Sequence, residues 1–218
     1  MAKLYYFNGR GRGEIVRLTL AAADIQVNTI YISTKTDINF YFISDGKLYF
    51  GQLPCLEIDG KHIVQANAIV RYLGKRAGLL GTNEDEALLV DQYYEGSRDF
   101  MSPSLAIGFS PEEEVLATIK TKTLPKFLPI FNKIAANNGT GHLVGNSLTL
   151  ADVSLLEPLL VYVEYFGKEI LQDFPALLKL WETTTNIPSI SGYLNGPLRK
   201  PKNDERYIQE VQRALARN

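Results

Sequence analysis

A proline set between two short apolar runs constrains this chain most, in the segment Leu53-Pro54-Cys55-Leu56-Glu57-Ile58-Asp59-Gly60 followed by Lys61-His62-Ile63-Val64-Gln65-Ala66. Proline has no N–H, so Pro54 must stand at the first position of the following strand or outside it. A tight bend, cis or trans, suits it there. Asp59-Gly60 is a two-residue turn signal that pairs run 55–58 with run 62–65 as a hairpin. The bend turns the Leu53 backbone outward, where an extended ligand can pair with it as an added strand would. Gln65-Ala66 opens a helical pattern, so free N–H groups and the positive end of a helix dipole face the same edge. The segment predicts an edge that takes a small, extended, anionic peptide.

The rest of the chain divides around position 80. Residues 3–7 read as an aromatic strand broken by Gly9-Arg10-Gly11-Arg12-Gly13, residues 14–23 as a helix and residues 27–32 as a second strand. A crossover of that length makes the two strands parallel. Residues 33–50 are irregular and rich in aromatics, and a helix is expected over 67–76. From Glu84 the strand signals stop. Two long helices are expected over 84–107 and 111–137, the second opened by Ser110 as N-cap and Pro111. Thr149-Leu150-Ala151-Asp152 has the form of a capping box ahead of an apolar run from Val153 to Val163. Phe174-Pro175 and Ile187-Pro188 mark further helix starts, and 204–217 is amphipathic with Tyr207, Ile208, Val211 and Leu215 on one face. The expected fold is α/β plus all-α, with a smaller domain over 1–80 and an all-helical one over 84–218.

Charge and composition exclude several functions. The 218 residues carry 23 basic and 24 acidic side chains, so no bulk charge attracts nucleic acid or a membrane surface. The single cysteine, Cys55, forbids an internal disulfide and is expected to be a buried small apolar residue. His62 and His142 are the only histidines, and no metal-ligand cluster is expected. The N-terminus lacks a secretory apolar region and no run reaches membrane-spanning length, so a soluble cytoplasmic protein is expected.

Five segments, in order and suitably spaced, give the chain a resemblance to the cytosolic glutathione S-transferases. They are Tyr6 to Arg12, Gln52-Leu53-Pro54, Val64-Gln65-Ala66, Leu143-Val144-Gly145-Asn146 and Arg199-Lys200-Pro201. The resemblance spans nearly the whole chain and is closest to the alpha class, with some sigma-like features. It implies a thioredoxin-like domain followed by a helical domain. It also implies a homodimer in which reduced glutathione, a co-substrate with no further cofactor, is conjugated to hydrophobic electrophiles.

Such a reaction needs a thiolate, and a free thiol has a pKa of about 8.5. Lowering it by about two units takes about 2.7 kcal/mol of preferential thiolate stabilisation. By residue type alone Tyr6 is one more aromatic at a strand end. The resemblance makes it the hydroxyl that donates to the sulfur, with Tyr5 on the opposite face. It makes Arg12 the cation facing the sulfur. That position is electrostatically unusual, since cations disfavour a helix start. Arg10 is the weaker candidate, and Arg17 is expected in an internal ion pair.

The resemblance further implies that Gln52, Leu53, Pro54, Gln65 and Ala66 hold the peptide, and that Asp99 and Lys126 reach it across the dimer. The family's basic residue near the glycyl carboxylate aligns with Ile43, so Lys47 is the substitute. The family usually has Ser or Thr where this chain has Ala66, which predicts weaker glutathione binding. Phe7, Gly9, Leu105, Ala106, Phe109, Ile208, Val211 and Leu215 are expected around the electrophile, and Phe50 is expected to anchor the dimer. Leu215 and Arg217 stand where the family commonly has phenylalanines, so a looser terminal lid is expected. Two other readings share the scaffold: a ligandin-like carrier or lens-type structural protein, and a glutathione-dependent isomerase or peroxidase.

Overall fold

The computed structural model describes residues 1–33 and 47–215, with side chains through 214. Ile43, Arg217 and the Leu215 side chain lie outside the described residues. Strand β1 (Ala2–Tyr6) runs inside a four-stranded sheet, beside β2 (Val27–Tyr31) on one side and β3 (Cys55–Ile58) on the other, with β4 (Lys61–Val64) at the far edge. β1 and β2 are parallel, as the crossover through helix α1 (Glu14–Ala22) requires, and the other pairs are antiparallel. Asp59 and Gly60 both take positive φ, 50° and 74°, the geometry a two-residue hairpin turn needs. The Leu53–Pro54 peptide bond is cis.

Alternation along β1 separates its two tyrosines. Leu4 and Tyr6 enter the main core, while Tyr5 packs on the other face with Ile32, Leu48, Cys55 and Val64. The Tyr5 hydroxyl donates to Glu57 at 2.7 Å, and Lys3 donates to the same carboxylate at 2.8 Å. Helix α2 (Ala66–Arg76) follows β4 and packs beside α1.

The helical part begins at α3 (Glu84–Met101), where the Asn83 side chain accepts the Glu86 N–H at 2.9 Å. Two expected helices are corrected here. The helix expected over 84–107 stops at Met101, and residues 102–106 form a tighter 3₁₀ turn with Pro103 in its first turn. Pro103 has no N–H for the Asp99 carbonyl, so the α-helical ladder cannot continue. The helix expected over 111–137 is three segments: α4 (Glu112–Thr118), a π turn over Ile119–Thr123 and α5 (Leu124–Asn138). The wide turn lies just before Pro125, whose ring crowds the Thr121 carbonyl and offers it no proton. Pro111, not Ser110, occupies the cap position of α4.

Helix α6 (Leu150–Phe166) is the core of this half and is buried along most of its length. The buried Asp152 carboxylate accepts the Thr149 N–H at 2.8 Å and the Leu143 N–H at 2.7 Å, so the expected box also pins the preceding loop. Tyr162 of α6 donates to the Phe100 carbonyl of α3 at 2.6 Å, and its ring packs with Phe100. Helices α7 (Pro175–Thr185) and α8 (Pro188–Leu194) both begin at their prolines, as expected. Helix α9 (Glu205–Leu215) returns to the sheet half, its first turn held by Asp204 accepting the Tyr207 N–H at 2.8 Å.

The two halves meet on Glu14 of α1. Its buried carboxylate accepts from Arg17 of its own helix at 3.3 Å, from the Tyr193 hydroxyl of α8 at 2.8 Å and from Arg199. The expected internal pairing of Arg17 is therefore present.

Cys55 has no exposed surface. Burial pushes its thiol up to about 12, with the Glu57 charge adding to the shift and Lys47 opposing it. The native protein should therefore leave Cys55 unmodified by a disulfide reagent at about pH 8, against a free-thiol pKa of about 8.5. Denaturant should release one reactive thiol per chain, and rapid reaction of the native protein would contradict the burial.

Candidate active site

A cavity of ≈ 520 Å³ opens where the end of β1, the start of α2 and the helical wall converge. Its floor is Tyr6, the last residue of β1, followed by the glycine-rich turn. The turn is glycine-rich because the tyrosine lies against it: a Cβ on Gly13 would stand 2.5 Å from Tyr6 Cδ1. The Tyr6 hydroxyl accepts the Arg12 N–H at 2.8 Å. Burial raises the Tyr6 phenol above its ordinary value. The Tyr207 hydroxyl, the Arg12 N–H and the Arg17 charge oppose that rise without overcoming it. The phenol is consequently protonated at neutral pH and able to donate.

Two arginines of the turn have different commitments. Arg10 is buried, paired with Glu164, and donates to the Lys200 carbonyl at 2.7 Å. Arg12 is exposed on the cavity wall and makes no ion pair among the described residues. Beneath them Arg17 holds the Gly9 carbonyl at 2.9 Å and lies 5.8 Å from the centre of the Tyr6 ring. Its Nε and Nη2 are buried without hydrogen-bond partners among the described residues. The Arg17 charge is shared with its buried partner Glu14, while Arg12 is a cation exposed on the cavity wall.

Opposite the turn is the polar edge. Gln65 donates from its side chain to that of Gln52 at 3.1 Å, which sets the two amides side by side on the rim. Gln65 has φ of 71°, a left-handed conformation costly for a side-chain-bearing residue, immediately before α2. Its side chain does not cap that helix, and Ala66 and Asn67 of the first turn of α2, where helix N–H groups have no intrahelical partner, line the cavity. Leu53 and Pro54 complete this wall. The far wall is mostly apolar, with Phe7, Met101, Leu105, Ile107, Phe109 and Val211 among its residues.

The cavity thus brings together Tyr6, Arg12, Gln52, Leu53, Pro54, Gln65 and Ala66 with Phe7, Leu105, Phe109 and Val211. Asp99 lines an adjoining recess of ≈ 220 Å³ that shares Arg12. Other expected residues stand off the wall. Lys47 lies near Cys55 instead. Gly9 is covered by the Tyr207 ring, Ala106 does not line the cavity, and Ile208 packs against Gly108. Lys126 is exposed on α5 with its ammonium 4.6 Å from the Phe127 ring centre, and Phe50 is exposed beyond the rim.

Sequence reasoning places Tyr207 on the apolar face of the last helix but does not aim it at Tyr6. It misses Asn67, Tyr165 and Lys202 altogether. The one available signal was the unusual tyrosine among aliphatic residues on that face. Among the described residues no group of His, Cys, Asp and Glu could hold a metal ion, and no helix is long and apolar enough to cross a membrane.

Comparison with known proteins matches both halves to family models. Residues 2–75 match the glutathione S-transferase N-terminal domain and residues 98–197 the C-terminal domain. Glutathione S-transferase alpha M14 of Sus scrofa is 38% identical over 213 residues, 96% of this chain and 95% of its own. Glutathione S-transferase A3 of Homo sapiens is 38% identical over 215 residues, 97% and 96% of the two chains. Among solved structures, the glutathione S-transferase from Ascaris lumbricoides superposes with a TM-score of 0.76 at 31% identity, covering 93% of this chain and 98% of its own. Prostaglandin synthase D of Nilaparvata lugens gives 0.75 at 29%, with 92% and 100% covered. Monomeric Na-GST-3, a glutathione S-transferase from the hookworm Necator americanus, gives 0.78 at 28%, with 93% and 98% covered.

Proposed function

The chain belongs to the glutathione S-transferase family, and from that premise we propose that its cavity conjugates reduced glutathione to hydrophobic electrophiles through a thiolate held by Tyr6. The carrying observation is the state of the Tyr6 hydroxyl: buried, protonated and fixed by the Arg12 N–H on the cavity floor. The extended tripeptide lies along the 52–54 edge with its γ-glutamyl carboxylate at the N-terminus of α2, where Gln65 and the Ala66 N–H meet it. Its sulfur then rests over Tyr6.

On binding, the thiol gives up its proton to solvent. The phenol donates to the resulting thiolate, and Arg12 adds positive charge beside it. The thiolate attacks an electrophilic carbon held against the apolar wall, forming a carbon–sulfur bond. A leaving group departs with the bonding electrons, or, where the electrophile is an activated double bond, the adduct takes a proton from water. Asp99 and Lys126 are assigned to contacts across a dimer, and Lys47 to the glycyl end of the peptide. The prostaglandin synthase D of Nilaparvata lugens has the same fold. An isomerase would show turnover of a rearranging substrate without consuming glutathione.

Tyr6→Phe removes one hydrogen bond to a charged sulfur and should lower kcat by about 10–100-fold with glutathione affinity nearly unchanged. Steady-state kinetics with a small aromatic halide measures this, and full activity in the variant would remove Tyr6 from the mechanism. Ala66→Ser should tighten glutathione binding by about 0.5–1.5 kcal/mol, about two- to twelve-fold in Kd, by adding a hydroxyl at a helix start already facing the carboxylate. Calorimetric titration decides it. Equal or weaker affinity would move the γ-glutamyl pocket away from Gln65-Ala66.

Phe50 is 65% exposed and Tyr49 78% in the single chain, a pair of aromatics suited to a partner's pocket. We assign Phe50 to a homodimer interface. Sedimentation should show a wild-type dimer and a Phe50→Glu monomer at the same concentration. A wild-type monomer, the state of the hookworm relative Na-GST-3, would overturn the assignment.

A further inference from the structure

Tyr207 of α9 is buried at the cavity, with its ring laid over Gly9 and its hydroxyl against that of Tyr6. A Cβ on Gly9 would overlap the ring, and one on Gly11 would collide with both hydroxyls, so two glycines leave the space in which the phenols meet. Phe109 holds the other edge of the ring, its centre 6.4 Å away at 70°. Asp204 fixes the backbone of the same turn. A tyrosine held on three sides has little freedom to point elsewhere.

A phenol has one proton to give and two lone pairs to receive. The Arg12 N–H takes one lone pair of Tyr6, and the Tyr207 hydroxyl, crowded with that of Tyr6 against Gly11, is placed for a second hydrogen bond on the same oxygen. Once Tyr6 gives its single proton to a thiolate, the bond between the two hydroxyls can run only from Tyr207 to Tyr6. We infer that Tyr207 is a positioning residue for the thiolate reaction: it donates to the Tyr6 hydroxyl, aims the Tyr6 proton at the sulfur and strengthens that hydrogen bond through the chain. The inference rests on the thiolate reading above and extends it to a group from the last helix that never touches the sulfur. Hydrogen bonds in such a chain reinforce one another by about 10–30% each.

Among the described residues the other charged and titratable groups around the pair are Arg10 with its partner Glu164, Arg12 of the glycine turn, Arg17 of α1 with its partner Glu14, Tyr165 of the helical wall, and Lys202 ahead of α9.

The test is the pH profile of kcat/KM for conjugation in wild type, Tyr207→Phe, Gly9→Ala and the double variant. Phenylalanine keeps the ring and removes only the donor. The acidic limb should move up by about half a unit, which is about a threefold loss below the limb, with wild-type activity regained above it. Gly9→Ala displaces the ring by its methyl group and should move the limb in the same direction, with no further shift in the double variant. An acidic limb unmoved in Tyr207→Phe would overturn the inference. A uniform loss at every pH would do the same, because it would mark a structural role. If wild type itself shows no limb below the free-thiol value, the thiolate reading fails, and this inference falls with it.

Discussion

Everything in this molecule hangs on one buried carboxylate. Glu14 stands in the first turn of α1 with no solvent to stabilise its charge, and it is held by Arg17, Tyr193 and Arg199. Removing one partner from a buried, hydrogen-bonded ion pair typically costs about 3–5 kcal/mol, because a charge is left alone in a poorly polarisable surrounding. The cluster joins α1 to α8 and to the segment leading into α9. The active-site cavity is the gap that this junction leaves between the halves. Arg17 has a second role, since it also holds the Gly9 carbonyl and so shapes the turn on which Tyr6 and Tyr207 rest.

From that junction the chemistry follows by steps. Strand alternation sends Tyr6 toward the helical half and Tyr5 away from it. The glycine turn lets α1 begin close enough for the Arg12 N–H to reach the Tyr6 hydroxyl. Burial keeps the phenol neutral, which makes it a donor. Beneath it the Arg17 guanidinium, paired with Glu14, keeps Nε and Nη2 without hydrogen-bond partners among the described residues. In the proposed reaction, a neutral donor and the nearby Arg12 charge are the two groups that favour the thiolate over the thiol.

Much of this was legible from residue order because the relevant rules are local. Asp59-Gly60 permits few turns, Thr149 and Asp152 close a capping box within four residues, and the alternation of β1 is a matter of counting. The polar edge from Gln52 to Ala66 could be read for the same reason. What escaped depended on competition or on distant pairs. Pro103 and Pro125 sit inside helical periodicity and change its pitch from within, so pattern alone runs two helices on past their α-helical ends. The Tyr6–Tyr207 pair joins residues from opposite ends of the chain in space that Gly9 and Gly11 leave by having no side chains. Nothing local to Tyr207 announces that partner. Lys47, named for its nearness in sequence to Ile43, stands beside Cys55 and is not among the residues that line the cavity.

The central claim is that this site binds glutathione as a thiolate, and the proton lost on binding tests it most directly. Calorimetric titration of glutathione into the wild-type protein, repeated at about pH 7.5 in two buffers of different ionisation enthalpy, gives the number of protons released per site. A thiol moved from about 8.5 to about 6.5 should release about 0.8 proton. Binding with no net release, at saturating occupancy and with the same affinity in both buffers, would contradict the account.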